Sequence, residues 1–258
     1  QKGQILYGSL MGPGPDSPVP HLVLIGPGIE APLTVPASIE VPAGSGTMLV
    51  TGKEPGKPSY EPFTPQPIYE VARFNVTASS DGDYYIAVFG PGTVKYGLAP
   101  GFKEEFTAAE WLLVPVSVSA IHLWEGQAPI IVFAPFGAVL IIGFTLTGMY
   151  RRVHGRPADP ASWLILAAGL LYLGGAAMTG LQIVSTVLAT GYSDGVPITL
   201  LLIAGPVLLG MYAVRTGVRP LRPDTFLRDG AMMALVGILG LLLWAGYHFL
   251  IGRPFQAL

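Results

Sequence analysis

Four stretches in the second half of the chain carry no charged side chain: residues 128–150, 161–192, 196–214 and 231–252. Each is long enough to cross roughly 30 Å of hydrocarbon as a helix. A lipid core accepts only segments that satisfy their own backbone hydrogen bonds, so these stretches must be helical if they span. This single feature predicts a four-helix transmembrane bundle over 128–258. The second stretch is longer than a perpendicular span needs, so it must tilt or project above the bilayer.

The charge distribution divides the chain. Only 12% of the 258 residues are charged, about half the usual share for a soluble domain. Twelve of the 16 acidic residues fall within residues 1–127. A break of that kind predicts two units in different solvents. The boundaries expected are a β-rich extracytoplasmic domain over 1–106, a connecting segment over 107–127, and the membrane bundle over 128–258. The loops orient the bundle. Arg151, Arg152 and Arg156 follow the first span, and Arg215, Arg219, Arg222 and Arg228 follow the third. The loop after the second span has no Lys or Arg, and only Arg253 lies beyond the fourth. Arginines mark the cytoplasmic side, which places the N-terminal domain and the C-terminus outside. The start at Gln1 without a methionine fits removal of a signal peptide.

The bundle reads as two similar hairpins. With Pro135 set over Pro197, the residues Leu140, Ile141, Gly143, Leu146, Gly148, Met149 and Tyr150 fall on Leu202, Ile203, Gly205, Leu208, Gly210, Met211 and Tyr212. Such a duplication predicts hairpins related by an axis along the membrane normal. Glycines at 169, 174, 175 and 180, and at 143, 148, 205 and 210, predict close helix packing. No Asp, Glu, Lys or Arg sits inside any of the four spans, which argues against a proton or ion pathway, and the one histidine within a span is His248, near its outer end.

The first hundred residues alternate short β-branched and aromatic runs with Gly/Pro breaks. Strands are expected at 4–10, 21–25, 36–41, 47–51, 69–78, 84–89 and 93–98, with 52–67 as a proline-rich loop. Strands of this length and spacing predict a β-sandwich or jelly roll. Gly82 is positioned to supply a positive φ in a tight turn. Beyond it, Tyr85, Ala87 and Phe89 should face one way and Tyr84, Ile86 and Val88 the other. The run Asp81-Gly82-Asp83-Tyr84-Tyr85-Ile86-Ala87-Val88, followed by Tyr96-Gly97-Leu98, resembles the last hairpin of the pre-peptidase C-terminal type β-sandwich. The resemblance covers roughly residues 10–100. It implies a secreted, non-catalytic binding or solubilising module, although here the expected membrane helices follow it.

Thr107-Ala108-Ala109-Glu110 has the form of a helix capping box. The apolar run to Trp124 is too short to span, and tryptophan at each end suits a bilayer interface. A helix over 107–125, interrupted at Pro115, competes with a β-strand over 114–121. On a helix, His122 and Glu125 share a face, and with His248 they are the candidate metal ligands of the outer surface. Glu104, Glu105 and Glu110 are candidate acid–base carboxylates, and Asp81 and Asp83 a candidate calcium turn. Asn75-Val76-Thr77 is a glycosylation sequon. There is no cysteine, hence no disulfide framework and no thiolate chemistry. No nucleophile motif or phosphate loop is present, and no cofactor and no nucleic-acid partner are expected. The chain therefore reads as a non-enzymatic membrane-anchored surface protein, a structural, accessory or assembly subunit. Its expected partners are the lipid membrane and other membrane or surface proteins, itself included. The alternatives are a ligand-binding receptor, and a subunit of a membrane enzyme or redox complex.

Overall fold

The structure, a computed structural model, describes residues 1–30, 35–101, 107–155, 159–219 and 226–251. It divides into two units. Gln1–Ser59 and Pro67–Lys103 make the first; Tyr60–Gln66 and Glu104–Leu258 make the second.

The first unit is built on two antiparallel sheets. Strands β1 (Ile5–Gly12), β2 (His21–Pro27), β3 (Ser45–Val50), β4 (Ser59–Glu61), β5 (Gln66–Thr77), β6 (Tyr85–Phe89) and β7 (Gly97–Pro100) follow in chain order. One sheet has the order β4-β5-β1-β7 and the other β3-β2-β6. Leu22, Val23, Leu24 and Ile25 of central strand β2 are all buried. Leu10 of β1 and Val71, Ala72 and Phe74 of β5 join Leu22 and Leu24 in one apolar cluster that draws on both sheets. Each fully buried leucine removes enough apolar surface from water to contribute about 2 kcal/mol. Gly8 sits under the Phe74 ring, where a Cβ would collide with it.

Two strand expectations are corrected. Residues 36–41 form a turn, closed by the Ile39 N–H on Pro36 O at 2.9 Å, instead of a strand. The prolines at 36 and 42 bracket this segment and lack the N–H a ladder needs. The last strand starts only at Gly97, pairing Gly97–Pro100 with Gly8–Met11, because the Gly90-Pro91-Gly92 bend delays it. A short strand, β4, also lies inside the segment expected to be all loop. The turn chemistry is as the residues require: Gly82 has φ +139°, and Tyr84, Ile86 and Val88 pack on the core.

The second unit is helical. It contains α1 (Ala108–Trp124), α2 (Pro129–Val153), α3 (Pro160–Thr190), α4 (Val196–Val218) and α5 (Phe226–Ile251). The segment at 107–125 is thus helix and not strand, and it runs through position 115. The capping box is complete: Thr107 Oγ1 accepts from the Glu110 N–H, and the Glu110 carboxylate accepts from the Thr107 N–H at 2.7 Å. That carboxylate is held below its ordinary pKa by the backbone bond first and the Thr107 hydroxyl second. At α3, Asp159 caps the start by accepting from the Ser162 N–H, Pro160 occupies the first turn, and Gly191 ends the helix at φ +76°.

Helices α2, α3 and α4 are each long and apolar enough to cross a membrane. At 31 residues, α3 is about 46 Å long. The polarity is inverted relative to a water-soluble bundle. Ile130, Ile141, Val153, Leu164, Leu188 and Leu201 are largely exposed, whereas Thr147, Gln182, Thr186 and Thr199 are buried. In lipid, hydrophobic association does not drive helix packing, but close van der Waals fit and internal hydrogen bonds can. The fit is visible at the glycines. A Cβ on Gly169 of α3 would fall on the backbone of Gly210 and Val214, and one on Gly217 on the backbone of Leu166. On α2, Gly143 receives the Leu170 side chain, and Gly174 of α3 lies against the Phe136 ring. The aligned positions of the proposed repeat differ in setting. Pro135 is inside α2 while Pro197 lies in the first turn of α4, and Gly210 is packed where Gly148 has open space around it.

Candidate functional site

The helical unit buries a polar cluster beside α1. His122 and Ser119 lie one turn apart and both face inward, while Leu113 and Val116 face outward. His122 is 1% exposed. Its Nδ1 lies 3.2 Å from the Glu125 carboxylate, whose side chain is also buried. The same nitrogen is 3.5 Å from Gln127 Nε2. Gln127 and Gln182 then exchange a reciprocal pair of amide bonds: Gln127 Nε2 donates to Gln182 Oε1 at 3.0 Å, and Gln182 Nε2 donates to Gln127 Oε1 at 2.9 Å. The ordering is dictated by position. Glu125 caps the end of α1, Gln127 lies in the short link to α2, and Gln182 is two turns from the end of α3. A buried amide is costly unless its donors and acceptors are used, and here each satisfies the other.

Two of the candidate metal ligands, His122 and Glu125, are therefore brought together. The side chain of the third, His248, lies outside the described residues. Among the described residues no group of three or more His, Cys, Asp or Glu side chains gathers to hold a metal ion. Asp81 accepts from the Lys2 N–H at 2.7 Å, so this carboxylate fastens the N-terminal segment. Glu110 belongs to its capping box, and Glu104 and Glu105 lie outside the described residues. Asn75 is exposed on β5.

Three features have no counterpart in the sequence reading. The first is an open groove of about 580 Å³ in the β unit, lined by Val19, His21, Gly52, Glu54, Phe89, Gly90 and Pro91. The Gly52 N–H donates to His21 Nδ1 at 3.0 Å. The neutral imidazole must then carry its proton on Nε2. The ring stacks at a tilt on Phe89, its cross-strand partner, with centroids 5.2 Å apart. Gly52 is sterically required, since a Cβ there would strike Pro20 O.

The second is the docking of Tyr60–Gln66 on the start of α4. Buried Thr199 donates to Pro62 O, and its hydroxyl lies 3.0 Å from the Tyr60 hydroxyl. Burial pushes the Tyr60 phenol above its ordinary pKa. The third is Arg151, which the loop pattern assigns to topology alone. It is 5% exposed in the last turn of α2. Its four-residue spacing from buried Thr147 is the signal that could have placed it on an inward face.

The chain matches no family model, and no curated protein and no solved structure matches it.

Proposed function

We propose that the chain is a multi-pass membrane protein with four spans, its β domain and C-terminus extracytoplasmic and its arginine-rich loops cytoplasmic. In this reading the two sheets form a sandwich of the pre-peptidase C-terminal kind, and α1 lies at the outer interface. The protein serves as a non-enzymatic accessory or assembly subunit whose β domain makes contacts outside the cell. One observation carries the functional part. The His122–Glu125–Gln127–Gln182 cluster uses its polar groups on one another, which is the chemistry of a structural tie between α1 and α3.

The test is purification of the full chain in mild detergent after cross-linking in its native membrane. A stoichiometric membrane or surface partner, or a defined homo-oligomer, is expected. A chain that is always solitary and monomeric defeats the reading. Orientation is checked independently: a glycosylating host should add a mass that Asn75→Gln removes, since that residue is exposed.

A second reading, ligand capture, is favoured by the His21 groove. An Nε2–H donor, the Glu54 carboxylate and the Phe89 ring line one concave surface, a set suited to a small polar molecule with an apolar face. Ligand-dependent thermal shift that His21→Ala abolishes would support it. A metal or redox role for His122, Glu125 and His248 predicts stoichiometric metal or a visible absorption band in the purified protein; their absence removes that role.

A further inference from the structure

Arg151 presents an unresolved charge. Its Nη2 donates to Gly217 O near the end of α4. Its guanidinium carbon lies 4.5 Å from the centroid of the Trp163 ring in the first turn of α3. Its Nη1 is buried and has no hydrogen-bond partner among the described residues. No ion pair described for the chain includes Arg151. The carboxylate on the neighbouring α3 terminus, Asp159, is committed to the Ser162 N–H and hydroxyl. A carbonyl and an aromatic face stabilise a cation without neutralising it. A buried guanidinium with an idle donor is among the most costly arrangements in a protein, so it calls for an anion.

We propose that Arg151 binds a phosphate oxyanion, supplied by the headgroup of an anionic lipid. The inference rests on the membrane reading, because only then does this end of the bundle meet the headgroup layer. The residues suit that ligand. Arginine offers planar, paired donors that match phosphate oxygens. Trp163 gives the guanidinium a flat apolar support and holds it in place. Arg152, Arg215 and Arg219 are exposed at the same ends of α2 and α4, and basic rims between helix ends recognise anionic headgroups. Gly217 also lets α4 approach α3 closely, since a Cβ there would press on the Leu166 backbone.

The test uses the full chain in neutral detergent, with native mass spectrometry and tryptophan fluorescence. The probes are phosphatidylglycerol, phosphatidylcholine and inorganic phosphate alone. Wild type should retain one phosphatidylglycerol with a preference of at least about tenfold over phosphatidylcholine, a difference of one power of ten in affinity. Arg151→Gln should lose the preference, and Arg152→Gln should keep it. Equal retention of the two lipids by wild type overturns the proposal, as does an unchanged preference in Arg151→Gln. Saturation by inorganic phosphate alone at the same concentration overturns the lipid source. If Arg151→Gln fails to give a monodisperse protein, Arg151→Lys replaces it, and the two-lipid comparison on wild type decides in any case. Failure of the membrane reading looks different: the chain would stay in solution without detergent.

Discussion

Replacing Gln182 with leucine removes both amide bonds to Gln127 while nearly preserving side-chain volume. Interhelical hydrogen bonds in membrane proteins contribute about 0.6 kcal/mol each on average, and up to about 1.7. Two are lost here, at 2.9 and 3.0 Å. The substitution also strands the Gln127 amide beside His122, a penalty of about 1–3 kcal/mol. Gln182→Leu should therefore cost about 2–4 kcal/mol in total. Gln127→Leu should cost a similar amount, since Gln182 is 2% exposed and would be stranded in turn. The double variant loses the bond pair only once and leaves no orphan, so it should be more stable than the sum of the singles predicts by about 3 kcal/mol or more. The assay is reversible unfolding of the full chain in mixed detergent–SDS micelles, followed by circular dichroism. A coupling energy below about 0.3 kcal/mol, the scatter expected of independent sites, would refute the tie between the α1–α2 link and α3.

Leu24→Ala empties a fully buried site shared by both sheets and should lower the stability of the β unit by about 2–5 kcal/mol, read by thermal unfolding. Gly169→Val should separate α3 from α4, because its Cβ meets Gly210 and Val214 backbone; reduced yield of folded protein on size-exclusion checks it, whereas Gly175→Ala, with open space around it, should be neutral. The Glu110 carboxylate has a depressed pKa, so its contribution to the α1 start is complete above the unfolded carboxylate range and is lost as pH falls through the folded value. The protection of the first-turn amides of α1, measured against their intrinsic exchange rate at each pH, should fall over that acidic window in wild type and change less in Glu110→Gln.

The placement of α2, α3 and α4 was legible because the relevant signal is local. Uncharged runs fix where helices lie, yet their ends were underestimated. The α2 helix continues through Arg151 and Arg152, and α4 through Arg215, because backbone hydrogen bonding continues past the point where hydropathy falls. The capping box at Thr107 and the turn at Gly82 were equally local and equally readable. The strand expected at 36–41 failed because β-branched composition cannot show whether a partner strand is there to accept its hydrogen bonds.

The sequence by itself determined that a β-rich N-terminal part precedes a helical C-terminal part built on long runs without charge, since composition sets which solvent each segment tolerates. That His122 and Glu125 meet was legible only on the helical reading of 107–125, which the structure selects over a strand. Only the tertiary structure decided that Gln127 reaches Gln182, 55 residues away, that His21 and Glu54 line one groove, and that Arg151 is buried against Trp163 and Gly217. Those pairings depend on which helix faces and strand edges meet, and that is settled by packing around glycines and core side chains that no local pattern encodes.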